Sequence, residues 1–111
     1  MRLLLDECLP KDLACELTGH MVKTVPQAGW ASFSNGKLLR LIAVSGAFDA
    51  FITVDKNLPQ QNKIQNLPFA IIVLRARSNR LIHLTPFVPE ILRLLPLINP
   101  GHLFVLHEPA A

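Results

Sequence analysis

The stretch Phe48-Asp49-Ala50-Phe51-Ile52-Thr53-Val54-Asp55-Lys56-Asn57 decides the fold. It is an apolar, β-branched run bounded by Gly46 on one side and Asn57-Leu58-Pro59 on the other, and it stops in an acid, a base and an amide. A run without polar alternation reads as a strand covered on both faces, the habit of parallel sheets. Side chains along such a strand are committed to the core, so polar groups that do chemistry collect beyond its carboxyl end. Asp55 takes that place. Arg2-Leu3-Leu4-Leu5-Asp6-Glu7 has the same form, an apolar run ending in carboxylates. Asp49 does not join them: at about 3.3 Å per residue it falls roughly 20 Å from Asp55, at the opposite end of the strand.

Working outward, Leu3-Leu4-Leu5 is a first strand, too quickly followed by Pro10 to be a helix. Leu9, Leu13 and Leu17 then recur at helical spacing, with Lys11, Asp12 and Glu16 on the other side and Gly19 as the stop, which predicts a surface helix opened by Pro10. Met21 to Val25 returns as a strand closed by Pro26. After a loop carrying Trp30, Ser34 or Asn35 can cap a helix over Lys37 to Ser45, with Phe33 able to staple onto Leu38 and Gly46 ending it. The amide-rich stretch Pro59 to Asn66 predicts a loop with a turn or two of irregular helix. Phe69 to Leu74 is a clear buried strand followed by the basic loop Arg75 to Arg80. Thr85 and Pro86 open a helix whose inner face is Val88, Ile91, Leu92 and Leu95, interrupted near Pro96, and His102 to His107 reads as an edge strand.

Strands alternating with helices predict a three-layer α/β domain with helices on both faces of a mainly parallel five-stranded sheet. The commonest doubly wound order for such a sheet is 2-1-3-4-5, whose switch point lies between the first and third strands. Asp6 and Asp55 end those two strands. Adjacent strands lie about 5 Å apart, so the two carboxylates are expected to face each other across a single cation or a single proton.

The 111 residues fit one domain, residues 1–111. With 50% hydrophobic and 17% charged residues, disorder is excluded as a class, and the net charge of +3 leans mildly towards an anionic partner. Cys8 and Cys15 give neither a disulfide framework nor a zinc pattern, and the histidines His20, His83, His102 and His107 show no metal spacing. The apolar run at the N-terminus is cut short by Asp6 and Glu7, and no segment has membrane-spanning length, so a cytoplasmic location is expected. Phosphate-loop and dinucleotide glycine patterns are absent from the sequence, which argues against nucleotide-fuelled or redox chemistry.

Acids converging in a crevice repel unless they share a cation or proton, and oxygen ligands favour Mg²⁺ or Mn²⁺ over zinc. Such an ion lowers the pKa of a bound water and neutralises a phosphate under attack. Lys56 and Asn57 follow the acid directly, and Arg75, Arg77 and Arg80 follow the fourth strand on the same sheet edge, where arginine forks suit phosphate oxygens. Trp30 can stack on an unpaired base, although covering the core under its loop is the commoner role. An aspartate at a strand end also serves as a turn or helix cap, and arginines in a loop also serve as a solvated surface.

Met1 to Pro10, Gly19-His20 before the second strand, Gly29 and Ser34 before the second helix, and Thr53-Val54-Asp55-Lys56-Asn57-Leu58 together resemble the small prokaryotic PIN-like domains related to VapC toxins. That resemblance implies a metal-dependent endoribonuclease using Mg or Mn, often the toxin of a toxin–antitoxin pair, inhibited by a small antitoxin protein and frequently a homodimer. Carried over by position, it makes Asp6 and Asp55 the catalytic, metal-binding acids, with Glu7 adjacent as a further ligand. Where domains of that family commonly have an acid near the start of the second helix, this chain has Asn35-Gly36-Lys37. An amide oxygen of Asn35 can ligate Mg²⁺ but brings no charge, which implies weaker metal affinity. Two other readings share these residues. One is a catalytically silent PIN-like module that binds RNA or an antitoxin. The other is a phospho-acceptor receiver domain, whose sheet order and acids match, but whose lysine after the fifth strand is replaced here by His107-Glu108-Pro109.

Overall fold

Continuous burial marks the inner strands of the sheet, which are covered on both faces. A computed structural model describes residues 1–58 and 63–109. Its strands are β1 (Arg2–Leu5), β2 (Met21–Thr24), β3 (Ala50–Thr53), β4 (Ala70–Arg75) and β5 (Leu103–His107). All neighbours pair in parallel, in the order β2-β1-β3-β4-β5. That is the expected doubly wound order, with its switch point between β1 and β3. Successive side chains point to opposite faces. Leu3, Leu5, Ile52, Ile72 and Leu74 therefore enter one core, and Leu4, Phe51, Ile71 and Val73 the other.

The helices divide between those faces. The first core is closed by Leu9, Leu13 and Leu17 around helix α1 (Leu13–Glu16), and by Leu84, Phe87, Ile91 and Leu95 from α3 (Leu81–Leu84), α4 (Val88–Leu94) and the 3₁₀ turns Thr85–Phe87 and Leu95–Leu97. The second is closed by Leu38, Leu39 and Ile42 of helix α2 (Asn35–Ser45), with Trp30 and Phe48 packed at its margin. Ser34 caps α2, its hydroxyl accepting the Lys37 N–H at 3.4 Å. Gly46 ends it in the left-handed region at φ 60°, where a side chain would be strained.

Two elements differ from the sequence expectation. The first helix keeps its leucine period but shrinks to one turn, because the chain after Pro10 closes through i−3 bonds, such as Leu13 N–H to the Pro10 carbonyl at 3.1 Å and Cys15 N–H to Asp12 at 3.1 Å. The C-terminal helix begins at Leu81, ahead of Thr85-Pro86, and alternates α with 3₁₀. Pro86, Pro89 and Pro96 lack the N–H an unbroken helix needs, and each falls at a first or second position of a new segment. Phe33 is partly exposed and carries Lys37 Nζ 4.3 Å above its ring. Of the amide-rich stretch, residues 59–62 lie outside the described residues, and Leu67 N–H closes a turn on the Ile64 carbonyl at 3.1 Å. No helix among the described residues is long and apolar enough to cross a membrane.

Candidate functional site at the switch point

The parallel register brings the two acids to one edge. Leu5 pairs with Ile52, and Asp6 continues the ladder by donating its N–H to the Ile52 carbonyl at 2.9 Å. Thr53 is therefore the cross-strand neighbour of Asp6, and Asp55 lies just past it. The Thr53 hydroxyl, fully buried, donates to Asp6 Oδ2 at 2.6 Å and accepts the Asp55 N–H at 3.0 Å. A threonine accepting the N–H two residues on makes a local turn, which bends the chain out of β3 beside Asp6.

Each acid is further tied. Asp6 Oδ1 accepts the Glu7 N–H at 2.8 Å, and the Cys8 thiol also hydrogen-bonds the carboxylate. Burial is the larger influence and holds the Asp6 carboxyl above its usual range, against the lowering effect of these donors. Burial and the charge of Asp6 push the Cys8 thiol up to about 11, so it remains a protonated donor. Asp55 Oδ2 accepts the side-chain amide of Asn35 at 3.1 Å, and Asp55 Oδ1 accepts the Asn57 N–H at 2.9 Å. Asn35, first residue of α2, thus joins the site from the helical layer that covers the second core. Glu7 turns to the loop between β2 and α2, both carboxylate oxygens accepting the Ser32 N–H, at 3.1 and 3.3 Å. Ser32 is held there at φ 69°, the one positive φ among the described non-glycine residues.

Asp6, Asp55 and Asn35 are thus brought together around Thr53, with Glu7 one residue away and engaged elsewhere. Asn57 touches Asp55 through its backbone, and Lys56 is an exposed turn residue beside it. Arg75 is the exposed last residue of β4. The basic loop leans on the β1 end through Asn79, whose amide donates to the Cys8 carbonyl at 2.9 Å. Within that loop Arg77 is paired with Glu108, Nε to Oε1 at 3.3 Å, while Arg80 is exposed and its N–H bonds Ser78 Oγ at 3.1 Å. The Trp30 ring lies edge-on to Phe48 at 6.0 Å, and its backbone N–H bonds the Val25 carbonyl at 3.1 Å in the loop after β2. Asp49 is at the end of β3 opposite Asp55, where the Arg2 N–H bonds its Oδ2 at 2.8 Å and, with the guanidinium, holds its carboxyl below the usual range.

Thr53, Cys8 and Ser32 also belong to the site through these bonds, beyond the residues the sequence pattern assigned to it. The signal for Thr53 was its place two residues before Asp55, the spacing of a hydroxyl turn. For Cys8 it was the equivalent spacing after Asp6.

Among the described residues no three His, Cys, Asp or Glu side chains are grouped to hold a metal. The donor set here is two carboxylates and one amide. Each carboxylate oxygen of Asp6 and Asp55 accepts at least one protein donor, and Asp55, with one donor on each oxygen, keeps acceptor capacity for a further partner. Mg²⁺ is commonly held by one or two carboxylates with water completing its octahedron, so this set fits a hydrated, loosely bound divalent ion better than a closed cage. Comparison with family models, curated proteins and solved structures finds no match.

Proposed function

We propose that the chain is a divalent-metal-dependent endoribonuclease of PIN-like type, working at the crevice between β1 and β3. The observation that carries this reading is the convergence of Asp6 and Asp55 on one buried hydroxyl, with Asn35 reaching Asp55 from α2. Asp6, Asp55 and the Asn35 amide oxygen are the groups that would hold Mg²⁺ or Mn²⁺, and Glu7 is close enough in the chain to join them. Such an ion, when bound, supplies Lewis acidity towards a phosphodiester and a water of lowered pKa. The chain's own residues do the rest. Thr53 orients Asp6, Asn57 fixes Asp55, and the cations Lys56 and Arg75 lie on the same edge to attract a phosphate backbone. An RNA substrate, a small antitoxin partner and a toxin role belong to this proposal as what the sequence resemblance implies.

A second reading is favoured by one contact. The Asn35 amide donates to Asp55 where an acid would add charge, satisfying that carboxylate with a neutral hydrogen bond. A silent module of the same fold, binding RNA or an antitoxin without cleaving, has this arrangement as its resting state. Incubating single-stranded RNA with the protein in Mn²⁺, against Asp55→Asn, separates the two. Manganese-dependent cleavage lost in the variant supports the nuclease, and binding of RNA with no cleavage by either protein supports the silent module.

A further inference from the structure

The edge strand β2 is closed on its outward side at one end only. Met21 N–H bonds the Met1 carbonyl and Val25 N–H the Leu5 carbonyl, both at 2.9 Å, so Met21, Lys23 and Val25 turn their backbone groups to β1. Val22 and Thr24 turn theirs outward. Those of Thr24 are taken: Gln27 Oε1 accepts its N–H at 2.9 Å, and its carbonyl accepts the Ala28 N–H at 3.1 Å. The outward N–H and carbonyl of Val22 have no such cap among the described residues. Beside them lies a mainly apolar groove of about 430 Å³, lined by Arg2, Met21, Val22, Lys23, Ala47 and Phe48. Met21 and Lys23 pair with Arg2 and Leu4 in the register, and Leu4 belongs to the second core, so both point to the α2 side of the sheet. That core is built over β1, β3 and β4 and leaves Met21 outside it, 71% exposed. Two cations line the groove. The Arg2 guanidinium is held by Asp49 Oδ1 at 3.2 Å and the Gly46 carbonyl at 3.0 Å, whereas Lys23 forms no ion pair among the described residues.

We propose that this groove captures the carboxy terminus of a peptide that ends apolar-x-apolar and pairs in parallel with β2 at Val22. One outward donor and one outward acceptor ask for an amide on each side. In a parallel pair the last peptide residue donates its N–H to the Val22 carbonyl, and the carbonyl two residues earlier accepts the Val22 N–H. Parallel is the direction of every strand in this sheet, and it carries the carboxyl end of the peptide towards Lys23. The capped backbone of Thr24 stops the pairing there. A chain that ends at that point leaves its terminal carboxylate beside the one cation of the groove that no acid of the protein engages, and this match selects a chain end over an internal segment. Period two then sets the side chains. The first and third of the three residues fall on the face of Met21 and Lys23, over the groove and Phe48, and the middle one points away from it. The volume lies within the range of about 300–1,000 Å³ usual for ligand sites. Arg2 and Met21 open β1 and β2, and Ala47 and Phe48 precede β3, so the groove is at the end of the sheet opposite Asp6 and Asp55. Capture there needs nothing of the chemistry proposed for the crevice.

Titration of the full chain with the tripeptide acetyl-Leu-Ala-Leu tests it, followed by the emission of Trp30 and by backbone amide shifts in nuclear magnetic resonance. Trp30 is the protein's single tryptophan and lies edge-on to Phe48, a wall of the groove, so filling the groove should move its emission. Binding should saturate and shift the amides of Val22, Lys23 and Phe48. The same tripeptide with its carboxylate capped as an amide should bind about fivefold more weakly, the size expected of an exposed ion pair. Lys23→Gln, with circular dichroism as the folding control, should erase that preference and bind acid and amide alike. Acetyl-Ala-Leu-Ala, which puts its one large side chain on the wrong face, should bind more weakly than acetyl-Leu-Ala-Leu. Octanoate supplies the charge and the apolar body without the paired amides, and should also bind more weakly. No saturable shift with acetyl-Leu-Ala-Leu, equal binding of acid and amide by wild type, a preference that survives in Lys23→Gln, or octanoate binding as tightly at the same amides overturns the proposal.

Discussion

The Thr53 hydroxyl donates to Asp6 Oδ2 at 2.6 Å while accepting the Asp55 N–H at 3.0 Å, so one buried side chain ties the Asp6 carboxylate to the Asp55 backbone. Removing it in Thr53→Val leaves a buried carboxylate oxygen without this donor and the Asp55 N–H without this acceptor. A loss of about 1–3 kcal/mol in unfolding free energy is expected. Thr53→Ser, which keeps the hydroxyl, should retain most of it. Urea unfolding of the three proteins checks the order, and equal midpoints for the valine and serine variants would contradict the role given to the hydroxyl.

Asp6 makes the fold pH-dependent in a defined direction. Burial raises its carboxyl pKa above the ordinary 3.8, so over the interval between the two values the folded chain holds a proton that the unfolded chain has released. The stability contributed by the neutral carboxyl is present below that interval and is lost as pH rises through the folded pKa. Asp6→Asn removes the penalty, because the amide needs no proton to stay neutral and its oxygen can still accept from Thr53. In the absence of divalent metal, the stability of Asp6→Asn relative to wild type should be greater at pH 7 than below pH 3.8. A thermal melt of each protein at the two pH values decides it.

Sheet order and the position of the two acids were legible because Leu3-Leu4-Leu5 and Ala50 to Val54 carry no polar alternation, which only a doubly covered strand tolerates. The helices were less so. Leucine period predicted the buried face of α1 but not its length, since the i−3 closure after Pro10 leaves no trace in the spacing. Prolines at 86, 89 and 96 break the C-terminal helix into segments while Phe87, Ile91 and Leu95 keep one buried side, so pattern outlasted hydrogen bonding. At the site, Asn35 was readable as a helix cap or a ligand, yet its contact with Asp55 joins α2 to the β3 end and follows only from their tertiary meeting. Trp30 packs against Phe48, a contact between a loop and the far end of β3 that no local period encodes.

Ser32 holds a left-handed backbone at φ 69°, with its N–H bonded to the Glu7 carboxylate. A non-glycine residue there is strained by about 1 kcal/mol, so Ser32→Gly should stabilise the fold by up to that amount. Glu7→Gln keeps the length of the side chain but replaces the carboxylate that accepts this N–H. It should loosen the loop and shift the emission of Trp30, the protein's single tryptophan, towards that of a more exposed indole. Unchanged emission in Glu7→Gln would show that the loop is held by other contacts.

Asn35→Asp places a third carboxylate against Asp55, where the amide now donates at 3.1 Å. Without metal the two acids repel, and the melting temperature should fall. With Mn²⁺ the added charge should tighten binding about tenfold, or ~1.4 kcal/mol, and raise any manganese-dependent RNA cleavage. Calorimetry and melting, each with and without Mn²⁺, give the two halves of this sign change. An aspartate variant that binds the ion no better than wild type would leave Asn35 outside the ligand set.

The central claim is that Asp6 and Asp55 act as one divalent-cation site. Its most direct measurement is calorimetric titration of Mn²⁺ into wild type and into Asp55→Asn, with folding of both verified beforehand. One saturable site in wild type, weakened about tenfold or more by removing the Asp55 charge, is the predicted result. Identical isotherms for the two proteins, or no binding by either, would contradict it.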